Sequence, residues 1–216
     1  MKRISCVMLP ALALLSLFAS GAIASEPVKE AVAAAASRGL PTMLQQIPSE
    51  ETKHYGFKNS FEMSLAQVGE PMEIFTVHPD EMMFYSGKDF GAFLRSTGEW
   101  YVPVLVGSEN RALLTVTWED GAWQVVGISA AGLARELGAF KGNIQSMLDN
   151  EGVQQREQPR FVRIFQAYSD FMYVPTTREE YLVPFSSAQA ALDFAPDKLL
   201  IPEMVVPLLK MEVSPN

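Results

Sequence analysis

The feature that most constrains the fold is a two-residue turn, Asp120-Gly121, between two runs rich in β-branched and aromatic residues. Both turn residues tolerate the positive φ of a type I′ turn, so the flanking runs are predicted to form a β-hairpin. The expected cross-strand pairs share one face of that hairpin: Trp118 with Trp123, Val116 with Val125, and Leu114 with Gly127.

A third strand is predicted just before the hairpin. A turn at residues 107–110 brings Trp100–Val106 alongside, which is expected to place Tyr101 and Leu105 on the same apolar face. Pro103 has no N–H to give to a ladder, so its N–H side is predicted to face a sheet edge or a bulge. The three strands form an antiparallel meander.

A long helix is predicted from Ala130 to Leu148, with Ser129 as its cap. Apolar residues recur there at spacings of three and four, which places them in one stripe: Leu133, Leu137, Phe140, Ile144 and Met147. This stripe and the apolar face of the meander are natural packing partners. Burial of each such side chain contributes about 1.5 to 3 kcal/mol.

These segments predict an α+β fold: a curved antiparallel sheet, built as a meander and packed on one long helix, with extra C-terminal strands and short helices. The outline is similar to the cystatin-like and NTF2-like folds. The similarity rests on one meander and one helix, and it implies a fold and no activity.

The remaining segments have shorter patterns. Alanine-rich Glu26–Ser37 is predicted to be helical with little to pack, and Ser49 to cap a short helix through His54. Alternation over residues 61–66 predicts a half-buried strand, followed by a second strand at Met72–Val77. Later runs predict further strands and short helices: Phe90–Leu94 and Ala188–Phe194 as helices, and Phe161–Tyr168, Phe171–Val174 and Tyr181–Phe185 as strands.

The organisation expected from these patterns has three parts. Residues 1–24 are predicted to be a cleaved signal peptide, residues 25–58 an N-terminal helical arm, and residues 59–216 a single domain. The polar stretch 149–159 is the best candidate for a linker within that domain. The chain after residue 159 is near the lower size limit for an independent core, so it is expected to extend the same sheet.

The signal peptide is predicted from basic Lys2 and Arg3, the apolar run Val7–Phe18, and the small-x-small pattern that ends at Ala24. The run is too short for a membrane anchor and Pro10 interrupts it. Cleavage after the alanines at 33–36 is the less favoured alternative. The chain is therefore expected to be exported, either to the periplasm or to the exterior, with no membrane-spanning segment after cleavage.

Composition removes several classes of function. Cys6 is the single cysteine and lies within the predicted signal, so disulfides, thiolate nucleophiles and cysteine-ligated metals are not expected in the mature chain. Removing Lys2 and Arg3 from the 17 basic residues leaves 15 against 25 acidic ones, a net charge of −10. Such a surface repels phosphate backbones and anionic headgroups, so nucleic acid and membrane-surface binding are not expected.

No catalytic motif is found. Neither histidine, His54 or His78, accompanies a Gly-x-Ser-x-Gly elbow. The run from His78 to Glu81 holds three potential ligands, but Pro79 aims them apart, so no metal and no cofactor are predicted. A glycosidase-like pair of carboxylates remains open, and the adjacent acidic pairs are Glu179-Glu180, Glu50-Glu51 and Glu119-Asp120.

Aromatic residues offer the weak candidates for ligand binding: Trp100, Tyr168 and Tyr173. The function expected from these observations is a non-catalytic exported module of the cell envelope that binds an unknown protein partner or small ligand. The alternatives are a carboxylate-dependent envelope hydrolase, and an assembly or chaperone-like subunit that docks through the proline-broken C-terminal stretch Leu199–Leu209.

Overall fold

A computed structural model describes residues 26–213, and the predicted signal peptide lies outside them. Six α-helices are formed within these residues: α1 Glu26–Gln45, α2 Ser60–Ser64, α3 Pro79–Met83, α4 Ala131–Glu151, α5 Ser186–Leu192 and α6 Pro202–Val213. The same part of the chain forms eight strands: β1 Gln67–Val68, β2 Met72–Val77, β3 Leu94–Val106, β4 Glu109–Glu119, β5 Ala122–Ser129, β6 Arg160–Ile164, β7 Ser169–Pro175 and β8 Glu180–Pro184. Short 3₁₀ helices occupy Phe90–Phe93 and Phe165–Ala167.

All eight strands belong to one sheet, in the order β5-β4-β3-β2-β6-β7-β8, with β1 also paired to β3. Every pairing is antiparallel except that of β2 with β6, which covers only two positions, Ile74↔Phe161 and Phe75↔Val162. The strands after residue 159 thus continue the sheet of the meander. The predicted α+β class, with a meander, a long helix and extra C-terminal strands, is confirmed, whereas the cystatin-like or NTF2-like outline stays a prediction.

Helix α4 covers one face of the sheet. Its Ala134, Leu137, Phe140 and Leu148 are buried against residues of several strands, including Leu113 of β4. Of the predicted stripe, Leu137 and Phe140 are buried and Leu133, Ile144 and Met147 are half-buried on the same face, so the face of the helix is confirmed. The predicted cap is wrong, because Ser129 is the last residue of β5 and Ala130, with φ 58°, precedes the helix without a side-chain cap.

The opposite face carries α1 at the β5 end and α6 at the β8 end. Neighbouring residues of a strand point to opposite faces, and Leu114 packs with α1 while Leu113 packs with α4. In the same way Val162 packs with α6 and Phe161 with α4. The expectation that the alanine-rich helix has little to pack is wrong: small side chains let α1 approach the sheet closely, and Val32, Ala35, Ala36 and Leu40 are buried.

The predicted hairpin is confirmed at its tip and corrected further along. Asp120 and Gly121 have φ of 52° and 79°, and Trp118↔Trp123 and Val116↔Val125 pair as expected. A bulge then shifts the register, so that Gly127 lies opposite Thr115 and Leu114 lies opposite Ile128. Alternation alone does not indicate the extra residue at Val126.

The predicted face of the third strand is wrong by one residue. Trp100 pairs with Val116 and Val102 with Leu114, so Trp100 joins the face covered by α1. Tyr101 turns to the α4 face instead. A shift of one residue exchanges the two faces of a strand, and a bulge supplies that shift, since Leu105 pairs with Asn110 but Val104 pairs with Ala112.

Two local predictions near the N-terminus are also wrong. Residues 60–64 form α2 rather than a strand, because the side chain of Asn59 accepts a hydrogen bond from the backbone N–H of Glu62. Residues 49–56 form successive turns rather than a helix capped by Ser49. The strand predicted at Met72–Val77 is confirmed.

The C-terminal stretch is a helix packed into the core. Pro202 occupies the first turn of α6, where its missing N–H costs nothing, and the helix continues past Pro207. Its own Val205, Val206 and Leu209 are buried against the sheet. Within residues 26–213 no helix is both long and apolar enough to cross a bilayer.

Candidate binding cleft

A half-open cleft of about 390 Å³ lies where α1, α4 and strands β2 and β3 meet the segment before β6. Its size falls in the range of small-molecule sites, which is about 300 to 1,000 Å³. The cleft exists because β2 and β6 pair over only two positions, so the strands separate on the N-terminal side of Ile74 and Phe161. We refer to it as the α1–α4 cleft.

Apolar side chains form most of the wall of the α1–α4 cleft. Helix α4 supplies three of them, and β2 and β3 supply most of the others. The apolar lining consists of Pro71, Met72, Phe75, Trp100, Pro103, Leu137, Phe140, Ile144, Pro159 and Met172. A wall of this kind takes up an apolar body without leaving polar groups unpaired.

Charged side chains connect the two helices across the rim. Glu70, in the turn between β1 and β2, lies 2.5 Å from the Lys29 ammonium of α1 and 3.5 Å from the Lys141 ammonium of α4. The hydrogen bond from Lys29, aided by the charge of Lys141, holds the pKa of Glu70 below its usual value although partial burial opposes the shift. The three residues form a charged bridge over the cleft.

Arg160 closes the opposite side of the cleft. Its guanidinium lies 5.6 Å from the ring centroid of Phe75 and 5.8 Å from that of Tyr173, within the range of cation–π contacts. It also donates a hydrogen bond to Glu157 at 2.9 Å. These three contacts fix the first residue of β6 beside the opening.

A second cavity, of about 540 Å³, lies between the end of β7, the start of β8 and the beginning of α6. Its lining is mostly polar and includes four carboxylates: Asp89, Glu179, Glu180 and Glu203. It also includes three basic residues: Lys88, Arg156 and Arg178. Charges of both signs lie close together there, so the cavity as a whole favours neither anions nor cations.

Glu180 is the most constrained carboxylate of the second cavity. It accepts hydrogen bonds from the backbone N–H groups of Phe90 at 2.6 Å and Gly91 at 3.2 Å. It also accepts one from the Tyr173 hydroxyl at 2.5 Å. Burial, followed by this hydrogen bond, raises the pKa of Tyr173. Both oxygens of Glu180 are engaged, so the carboxylate anchors the 3₁₀ helix Phe90–Phe93 to β8.

The structure does not bring the three aromatic candidates together. Trp100 lines the α1–α4 cleft, where it also contacts Trp123 edge to face. Tyr173 is buried behind Arg160 and points to Glu180. Tyr168 lies apart, 86% exposed and in the left-handed region with φ 47°. Their roles in binding stay predictions, with Trp100 the best placed.

The residues considered for metal binding remain apart as well. His78 lies 3.8 Å from Asp80 at an exposed position, and Glu81 pairs with Arg95 at 2.8 Å. Across residues 26–213, no three His, Cys, Asp or Glu side chains come close enough to hold an ion.

Sequence reasoning missed the cleft because its lining comes from segments far apart in the chain. Lys29, Glu70 and Lys141 carry no shared motif, and only the three-dimensional arrangement of α1 and α4 brings them together. The part of the lining that a sequence pattern marks is the α4 stripe, which supplies Leu137, Phe140 and Ile144.

The fold defines a three-layer α+β protein in which a mixed sheet lies between helices. Comparison with known protein families, curated proteins and solved structures finds no match for the chain.

Proposed function

We propose that the chain is an exported, non-catalytic binding module whose ligand is a small amphipathic molecule held in the α1–α4 cleft. The observation that carries the proposal is the cleft itself, which joins an apolar wall to a charged rim in a space of about 390 Å³. The apolar body of such a ligand lies against Phe140, Ile144 and Trp100. Its polar end reaches the bridge formed by Lys29, Glu70 and Lys141.

The amphipathic character of the ligand is inferred from how the rim charges are paired. Glu70 pairs with both Lys29 and Lys141, and Arg160 pairs with Glu157, so a ligand with a large net charge competes with existing ion pairs. The apolar wall instead favours burial of hydrocarbon or aromatic surface, at about 25 cal/mol per Å². A compact polar group at one end satisfies the rim without breaking it.

A variant pair on α4 tests this site. Ile144 and Met147 are both half-buried, but Ile144 lines the cleft and Met147 does not. The probe is 1-anilinonaphthalene-8-sulfonate, an apolar dye with one anionic group, measured by fluorescence titration of the mature protein. Ile144→Trp fills the cleft and is expected to weaken dye binding at least about tenfold, or 1.4 kcal/mol. Met147→Trp is the control and leaves the affinity unchanged.

The result that contradicts the proposal is equal dye affinity in both variants and the parent protein, or no binding in any of them. Native mass spectrometry of protein isolated gently from its own compartment identifies the natural ligand. An added mass of small-molecule size that Ile144→Trp abolishes supports the site.

Export is part of the proposal and rests on the basic, apolar and small-x-small order of residues 1–24. Fractionation of expressing cells, with N-terminal sequencing of the product, tests it. A mature N-terminus at Ser25 supports cleavage after Ala24, whereas an intact chain in the cytoplasm contradicts export.

The hydrolase alternative has its best location in the second cavity, where Glu203 and Glu180 both lie near the Tyr85 hydroxyl. Burial, together with the nearby negative charges of Glu203 and Glu180, raises the pKa of Tyr85. Both oxygens of Glu180 already accept hydrogen bonds, so this alternative assigns the chemistry to Glu203, whose partner is the Tyr85 hydroxyl. The test is turnover of a glycan by the parent protein and two variants. Loss of turnover in Glu203→Gln, with turnover retained in Glu179→Gln at the same rim, supports the hydrolase alternative. No turnover by the parent protein contradicts it and favours the binding module.

A further inference from the structure

Strand β5 is the last strand of the sheet at one end, and its outer edge has no hydrogen-bond partner among residues 26–213. In a two-residue hairpin the residues beside the turn, here Glu119 and Ala122, exchange both backbone hydrogen bonds. Alternation then turns the N–H and C=O groups of Trp123 and Val125 away from β4. Two donors and two acceptors therefore face outward in register.

The β5 edge lacks most of the features that keep sheet edges from pairing. Edge strands are commonly protected by lysine, proline, inward-pointing charges or bulges. Residues 122–129 contain no charged residue and no proline, although the chain as a whole has a net charge of −8. The bulge at Val126 comes only after Ala122–Val125 have paired with β4 in regular register. The outer edge of Ala122–Val126 is thus left open.

We propose that this edge is a homodimer interface, in which Ala122–Val126 of one copy pairs antiparallel with the same segment of a second copy. A two-fold axis at Gln124 places Trp123 opposite Val125 of the other copy, which pairs all the outward backbone groups. The same register places Ala122 opposite Val126. Both side chains are exposed in one chain, Val126 by 48%, and they cover each other in the pair.

A second copy fits this edge because the segment is neutral and self-complementary. Two acidic chains repel each other through most of their surface, and this uncharged segment avoids that repulsion at the line of contact. In the order of strands across the sheet, β4, β3 and β2 lie between the β5 edge and β6. The dimer therefore leaves the α1–α4 cleft open. The interface and the cleft are therefore independent of each other.

Charge placed at positions 122 and 126 tests the register directly. The double variant Ala122→Glu with Val126→Glu puts like charges opposite each other twice and is expected to raise the dimer dissociation constant about tenfold. The double variant Ala122→Lys with Val126→Glu changes the same exposed positions but pairs opposite charges, so it is expected to retain the dimer. The readout is sedimentation velocity of the mature chain over a concentration series.

Circular dichroism of each variant checks that the monomer fold is intact. A parent protein that stays monomeric at every concentration overturns the proposal, as does equal weakening by both double variants. A different protein chain bound at this edge in native mass spectrometry also overturns it. Dye binding by the cleft is measured separately, so failure here leaves the proposed function standing.

Discussion

Gly39 on α1 lies directly against Val125 on β5, so closely that a Cβ atom built on the glycine would be 2.5 Å from Cγ2 of the valine. Real Cβ atoms do not come so near a neighbour, so the helix and the sheet approach each other at a distance that only glycine permits. This contact, rather than large apolar side chains, sets how closely α1 packs. Lys29, at the rim of the α1–α4 cleft, lies on the same helix.

Gly39→Ala is expected to destabilise the fold. Alanine has the higher helix propensity by about 1 kcal/mol, but overpacking against Val125 costs about 1 to 3 kcal/mol, so the net change is a loss. Gly142→Ala is the matched control, because it lies in α4 with open space where its Cβ would be, and it is expected to gain up to about 1 kcal/mol. Urea unfolding measures both; a stabilised Gly39→Ala would contradict the packing.

Arg111→Met is expected to cost about 3 kcal/mol or more. Arg111 pairs with Glu62 at 2.6 Å, and both side chains are nearly buried, so the substitution leaves the buried carboxylate with only the exposed Lys58 ammonium, 3.9 Å away, as its cation. Burial alone would raise the pKa of Glu62, but the backbone N–H of Lys58 and the Arg111 guanidinium hold it below its usual value. Thermal unfolding measures the loss, and an unchanged melting temperature would rule out a contributing ion pair.

The same pair predicts a pH dependence. A carboxyl whose pKa is lower in the folded state stabilises the protein above the unfolded value of about 4.3, and that contribution is lost as the pH falls through the folded pKa. Glu62→Gln cannot titrate, so its stability deficit relative to the parent shrinks as the solution is acidified. Unfolding at a series of pH values checks this. A stability deficit that grows as the pH falls would contradict a lowered pKa of Glu62 in the folded state.

Tyr173→Phe is expected to destabilise the protein by about 1 to 2 kcal/mol, because the hydroxyl bonds the carboxylate of Glu180 in a largely buried place. Tyr181→Phe is the control, since Tyr181 is also a buried tyrosine of the β7–β8 region but contributes no hydrogen bond to Glu180. Denaturant unfolding of the two variants separates loss of the bond from loss of a hydroxyl. Equal effects would mean that the bond adds nothing.

Local patterns predict the sheet and its long helix well because those elements are coded by neighbours in the chain. The positive-φ pair Asp120-Gly121 determines the hairpin, and the stripe through Leu137 and Phe140 determines the face of α4. Errors arise where a single residue changes the geometry. The bulge at Val126 alters the far end of the hairpin, and the hydrogen bond at Asn59 converts an alternating segment into a helix.

The candidate site is not predictable from the sequence because it depends on how elements pack. Nothing local marks Lys29, Glu70 and Lys141 as neighbours, since 41 residues separate the first two and 71 the last two. The C-terminal stretch shows the same limit. Pro207 predicts a break, but burial of Val206 and Leu209 outweighs the hydrogen bond that proline removes.

The bridge over the cleft is expected to respond to salt where the buried ion pair does not. Glu70 and Lys141 are both more than 60% exposed, so dissolved ions screen their attraction, and the Debye length falls to about 3 Å at 1 M salt. Glu70→Gln should therefore lower stability in dilute buffer and have little effect in concentrated salt. Arg111→Met, which disrupts a pair only 11% and 10% exposed, should keep its full deficit in both. Unfolding of both variants in low and high sodium chloride makes the comparison, and a salt-independent effect of Glu70→Gln would show that the bridge acts through packing rather than charge.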